Sequence, residues 1–282
     1  MLLDSTVEFW SDPDMPYVET RRACQSRICY KSHSHPTFSI GAVDIGQSRF
    51  SSTFAQEQVI QAGALVVIPA HVEHSCNPLP DQAWSYQMMH LDAAWLITLI
   101  EELHQDIALE TDRQTIYLPQ LRPTIAHDVK AYDAFTALNQ LLFNEQISVL
   151  EKEQCLIQTL TEILIPSFHW EKIHSSHYFQ KHLPDLLECL EDNIENLSLQ
   201  ELSEKMNMSR YALIRLFKHF FGLTPHAYQL NYKVNQARQR LREPDRDLAR
   251  LAYELDFSDQ SHFHRVFKQH TGITPKQYYK KS

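Results

Sequence analysis

Glycine is scarce in this chain of 282 residues, with five in all, and no apolar run reaches the eighteen or more residues that a membrane helix needs. The amino terminus, MLLDSTVEFWSDPD, lacks the basic start and small-residue cleavage site of a secretory signal. A cytoplasmic protein with no membrane partner is therefore expected. Cysteine is sparse too. Cys24, Cys29, Cys76, Cys155 and Cys189 are odd in number and in no CxxC spacing, which argues against a disulfide framework and against a thiolate zinc site. They read as reduced thiols, most of them in the core. What is present is an ordinary globular composition, 43% hydrophobic and 22% charged, on a chain long enough for two domains.

The net charge of −9 conceals a segregation. Residues 196–282 hold 15 Lys+Arg against 8 Asp+Glu, a net of +7, which leaves 11 against 27, a net of −16, for residues 1–195. A basic carboxy-terminal region on an acidic chain suggests a polyanion-binding module joined to a domain with another task. A solvated surface could carry the same charge, so the pattern within the basic region has to decide.

The few glycines mark boundaries. Gly41, Gly46 and Gly63 fall among short β-rich runs such as TFSIGAVDIG, SRFSSTF and ALVVIPA, the texture of a small antiparallel barrel or sandwich over residues 29–91. After Pro123 the apolar period lengthens to that of two amphipathic helices of some twenty residues each, the second ended by Pro166. From residue 180 onward everything reads helical, including the amphipathic stretch LPDLLECLEDNI. The expected organisation is a β-rich domain with appended helices over 1–166, a linker over 167–179, and an all-α domain over 180–282. The fold class is α+β.

Within the basic region the chain writes one segment twice. SRYALIRLFKHFFGLTP (209–225) and SDQSHFHRVFKQHTGITP (258–275) align on their final prolines, pairing Arg215 with Arg265, Phe217 with Phe267, Lys218 with Lys268 and Gly222 with Gly272. Each copy reads as two short helices around a tight turn, at about 198–221 and 247–271. The first opens on a capping box, Ser198 with Glu201. In each second helix the apolar stripe, Leu213, Leu216, Phe217 and Phe220 or Phe263, Val266 and Phe267, faces the core. The opposite face carries Arg210, Tyr211, Ile214, Arg215 and Lys218 in the first copy, and Gln260, Ser261, His262, His264, Arg265 and Lys268 in the second. Such side chains suit duplex DNA: Arg forks guanine, Gln pairs with adenine, Ile or Tyr packs on a thymine methyl, and Lys reaches phosphate. A helix over about 225–241 would hold the two readers at a fixed spacing, about one DNA turn of roughly 34 Å if both enter successive major grooves.

Residues 180–281 resemble the DNA-binding domain of the AraC/XylS family of bacterial transcriptional regulators, and FSDQSHFHRVFKQHTGITPKQY is similar to that family's long signature. The resemblance implies contact with an operator by Tyr211, Ile214, Arg215, Gln260, Ser261, His262, His264 and Arg265. It further implies a small-molecule effector, a homodimer, and RNA polymerase as partner if the protein activates. Where the family often has glycine in its turns, this chain has Asn207 and Asp256, both tolerant of the left-handed conformation. The first copy is one residue shorter than the second near Arg210.

His33 and His35, then Gly46, Gly63, Pro69, His74 and Asn77, resemble the two motifs of the cupin barrel, the usual sensor of such regulators. The glutamate of metal-binding cupins is replaced: its place falls at Ser39 or Ile40. Three readings stay open for His33, His35 and His74: polar anchors of an effector pocket, a three-histidine site for a divalent metal, or structural histidines. Trp84, Tyr86 and His90 are further pocket candidates, or barrel core. A ligand-responsive DNA-binding regulator, not an enzyme, is the leading expectation. A metal-dependent cupin enzyme fused to a helical DNA-binding tail is the alternative, and it leaves the repeated basic segments without a role.

Overall fold

The computed structural model describes residues 6–106, 122–168, 197–242 and 247–279, with residues 181, 182, 185, 186 and 189 between them. Of the linker expected over 167–179 only Ser167 and Phe168 are described, Ser167 closing a helical turn, and most of the helix expected from Leu183 lies outside the described residues. The chain divides into two compact units, Met1–Cys29 with His35–Lys172, and Tyr30–Ser34 with Ile173–Ser282. No described helix is long and apolar enough to cross a membrane.

Among the described residues the first unit holds nine strands: β1 Thr6–Ser11, β2 Val18–Ser26, β3 Thr37–Ile45, β4 Gln47–Ser52, β5 Ala55–Gln61, β6 Leu65–Ile68, β7 Ser75–Pro78, β8 Trp84–Asp92 and β9 Thr124–Ala126. They form a six-stranded sheet in the order β1-β2-β8-β3-β6-β9 and a three-stranded sheet β5-β4-β7, with every pairing antiparallel. The α+β class stands, and among the described residues the expected barrel does not close, its strands falling into two sheets. Gly46 stands where the chain crosses from one sheet to the other. At φ +82° it passes the chain from β3 to β4, and a Cβ there would stand 2.7 Å from the Ala83 carbonyl oxygen, so only glycine fits.

Alternation gives the large sheet two faces. Phe38, Ile40 and Ala42 of β3, Leu65 and Val67 of β6, and Met89 and Leu91 of β8 join one core with the helices α1 Ala93–Asp106, α2 Val129–Leu142 and α3 Val149–Thr159. Of the expected helices the first is shorter, with 14 residues, and the second runs close to its expected length. α3 runs on through a π turn, Leu160–Leu164, and a last turn, Ile165–Ser167, that contains Pro166. Polar pins on this side are Thr20 to Asn139 at 2.5 Å, and Asp44, which accepts from Gln87 at 2.7 Å and from the Tyr132 hydroxyl at 2.9 Å. Lys152, buried on α3, lies 5.2 Å from the Trp10 ring centre. The opposite face carries Ser39, Val43, Val66, Ile68, Tyr86, Met88 and His90, all buried although no helix core includes them. The small sheet adds its own buried Ser48, Phe50, Ile60 and Cys76.

The second unit holds α4 Leu199–Lys205, α5 Arg210–Phe221, α6 Pro225–Arg240, α7 Leu248–Glu254, α8 Gln260–Thr271 and α9 Pro275–Tyr279. α4 opens on the expected capping box of Ser198 and Glu201. α5 and α8 are built alike. Each has twelve residues, a side-chain cap at its start (Ser209 or Asp259) and a left-handed glycine at its end (Gly222, φ 68°; Gly272, φ 82°). Asn207 and Asp256 take φ +47° and +53°, as their residue types allow. The turns span residues 206–208 and 255–258, so the one-residue difference lies in the turn and leaves the two reading helices equal. Leu202, Leu213, Leu216, Phe217, Phe220, Phe221 and Tyr228 form the first core. Leu251, Phe257, Phe263, Phe267 and Tyr278 are the buried counterparts in the second copy, with ring centres 5.2 to 5.7 Å apart along Phe257, Phe263, Phe267 and Tyr278. Of the cysteines, only Cys76 and Cys189 are buried, so the expectation that most lie in the core is corrected; none of the five is in a disulfide.

Candidate functional site

Helical periodicity divides α5 and α8 into a buried stripe and an outer face, and the outer faces carry the expected side chains. Arg210, Tyr211, Arg215 and Lys218 are exposed on α5, with Ile214 half-buried. Gln260, Ser261, Arg265 and Lys268 are exposed on α8, with His262 and His264 half-buried. Tyr211 is 71% exposed, an unusual place for a large aromatic ring unless a partner covers it, and the Arg215 guanidinium lies 5.9 Å from its centre. On α8, Ser258 Oγ lies 3.0 Å from His262 Nδ1, and His264 Nε2 is buried with no hydrogen-bond partner. The Asp259 carboxylate is occupied as a cap. The His262 backbone N–H bonded to it holds it below the usual carboxylate range.

Two residues between the readers escaped the sequence analysis. Lys233 on α6 is buried and donates to the Asp256 carbonyl at 3.0 Å and to its carboxylate at 3.1 Å, bracing the second turn. Asn231, also buried, accepts from Ser34 N at 3.0 Å and donates to Ser34 O at 2.9 Å and Ser34 Oγ at 3.0 Å. Asn235 adds a bond to Ser34 O at 3.1 Å, and Lys31 N donates to Gln269 O at 3.1 Å. Residues 30–34 are thus built into the helical unit. No local pattern could have signalled bonds between residues some 200 positions apart.

In the first unit three of the expected imidazoles gather. The His35 ring centre lies 5.4 Å from that of His74 and 4.8 Å from that of His90. His90 Nδ1 is 2.8 Å from Ser39 Oγ, one of the two positions expected for the missing glutamate. His74 is buried and donates Nδ1–H to Val72 O at 2.9 Å, which leaves its Nε2 as an acceptor. Burial presses its pKa down, outweighing the bond to Val72 O and the charge of Glu73, which act the other way. Trp84 and Tyr86 stack at 4.2 Å on the same strand, and the Trp84 indole N–H is buried with no hydrogen-bond partner. His33 belongs to the segment counted with the second unit. There it donates Nδ1–H to Lys31 O at 2.6 Å and lies 6.5 Å edge-on from His270.

A sheet-rich unit with a polar interior, joined in one chain to paired helix-turn-helix units, defines a class: the two-domain, ligand-responsive DNA-binding regulator. Comparison with known proteins agrees. Residues 15–152 match the AraC-like ligand binding domain and residues 202–281 a helix-turn-helix domain. The chain is 28% identical over 243 residues to the HTH-type transcriptional regulator YbfI of Bacillus subtilis (strain 168), itself uncharacterised, covering 83% of this chain and 81% of that protein. It is 31% identical over 97 residues to the probable transcription factor PqrA of Proteus vulgaris, covering 33% of this chain and 80% of PqrA. ToxT of Vibrio cholerae shares the fold, with a TM-score of 0.58 and 11% identity over 99% of this chain and 98% of ToxT. The chain belongs to the AraC family of transcriptional regulators. It is a ligand-responsive, sequence-specific DNA-binding regulator.

Proposed function

We propose that α5 and α8 read the two parts of one duplex operator, with Arg215 and Arg265 as base readers and Lys218 and Lys268 as phosphate anchors. The observation that carries this reading is the equal build of the two helices, each presenting an exposed Arg and, three residues on, an exposed Lys at positions fifty apart. Arg210, Tyr211, Ile214, Gln260, Ser261, His262 and His264 complete the two faces. The effector is assigned to the interior near His35, His74, His90, Trp84 and Tyr86, where an apolar wall and a few convergent polar groups meet. We further assign the protein to the cytoplasm, without enzymatic activity of its own. It would act as a homodimer through α2 and α3, whose Val129 and Leu150 are 75% and 74% exposed, and would contact RNA polymerase if it activates.

The test is selection of bound sequences from a random duplex pool, followed by footprinting. A bipartite site protected on one side of the duplex is expected, and a site with a single block of conserved bases would remove the two-reader assignment. The divalent-metal reading of His33, His35 and His74 is the second proposal for these imidazoles. Metal content of the full chain purified without a His tag is its test.

A further inference from the structure

We propose that residues 30–34 are a positioning element of the DNA reader: they tie the far end of α8 to α6 and so set the pose in which the second reading helix meets its half of the operator. This rests on the assignment of α5 and α8 as the two readers. It adds to that assignment a segment that no local pattern connects with either helix.

The ties are made largely by buried groups. Asn231 of α6 pairs with Ser34 as a neighbouring strand would, accepting from Ser34 N at 3.0 Å and donating to Ser34 O at 2.9 Å. Asn235, one turn on along the same face of α6, donates to Ser34 O at 3.1 Å. On the other side of the segment, Lys31 N donates to Gln269 O near the end of α8 at 3.1 Å. The His33 ring stands edge-on to His270 of α8 at 6.5 Å, and each ring is held by its own Nδ1–H, bonded to Lys31 O at 2.6 Å and to Val266 O at 2.8 Å. Tyr30, His33, Ser34, Asn231 and His270 are all buried.

One helix thereby holds α8 at both ends. Lys233 of α6 fixes the turn before α8 through Asp256, and Asn231 fixes its far end through residues 30–34. The two copies differ here. The residue fifty positions before His270 is Phe220, which in the first copy joins an apolar core with Leu186 and Cys189. The second copy puts a buried imidazole at that position and meets it with the imidazole of His33. A reading helix tied at its front alone would be free to pivot, whereas a binding constellation has to be held to within about 0.5 Å.

The experiment measures affinity and footprints of the full chain on its selected operator and on the same site with either half scrambled, the α8 half being the one that Arg265→Ala relaxes. Asn231→Ala cuts the tie at α6 and Lys31→Pro cuts it at α8, while Lys31→Gln removes only the charge. The two cutting variants should lose protection and base preference in the α8 half alone, with affinity for the full site down about tenfold, the worth of one bidentate base contact. Lys31→Gln should keep the preference in both halves. Circular dichroism checks that each variant is folded; Lys31 is exposed, so Lys31→Pro carries the test if Asn231→Ala fails to fold. A merely structural segment would lower the unfolding midpoint and leave the folded protein's preference intact in both halves. That result, or equal weakening of the two halves, would overturn the proposal while the two-reader assignment stands. A wild-type footprint with a single block would overturn that assignment and the proposal with it.

Discussion

His71 and His74 show how single residues tie the first unit to pH. Burial lowers both pKa values, that of His71 to about 4. Both are neutral when folded, whereas an unfolded histidine takes a proton below about pH 6.5. The unfolded state therefore binds more protons as pH falls. Stability is complete above about 6.5 and is lost on acidification, for His71 over the window from 6.5 to about 4 and by at most about 3 kcal/mol. His71 also takes φ +63°, which Asn tolerates. Denaturant midpoints at pH 7.5 and pH 5 should fall less in His71→Asn than in the wild type; equal falls would remove His71 from the account. The left-handed turns give a second residue-scale test. Asn207→Gly relieves φ +47° and should leave stability within about 0.5 kcal/mol of wild type. Asp256→Gly should cost about 1 kcal/mol or more, because it also removes the carboxylate that Lys233 holds.

At the scale of elements, the helices of the second unit were legible because their signals are local. Ser198 with Glu201 opens α4, Ser209 opens α5, and Gly222 and Gly272 close α5 and α8 where a left-handed residue is needed. Strand texture was legible in the first unit, but it left barrel and sandwich open, since the choice depends on which strands pair across long separations. The same limit hid the bond between Ser34 and Asn231. That bond carries an element-scale prediction. Asn231→Ala should destabilise the second unit by about 1 to 3 kcal/mol, the cost of stranding buried backbone partners. Asn235→Ala, which removes one bond from a half-buried residue, should cost less, and equal effects in urea unfolding would contradict the difference in burial.

For the whole molecule, the segregated charge and the family fit one division of labour: an acidic unit that receives a small molecule and a basic unit that reads DNA. Affinity should fall steeply with salt, with a log-log slope near 0.9 per neutralised phosphate, and Lys218→Ala should lower the slope by about one while weakening all sequences alike. The central claim is that one chain reads two half-sites with two equivalent helices. The most direct measurement is binding-site selection repeated with Arg215→Ala and with Arg265→Ala, each checked for a wild-type unfolding midpoint. Each variant should lose roughly 1 to 3 kcal/mol on the full site and relax base preference only in its own half. Preference kept in both halves by both variants, or relaxed across the whole site by either one, would contradict the account.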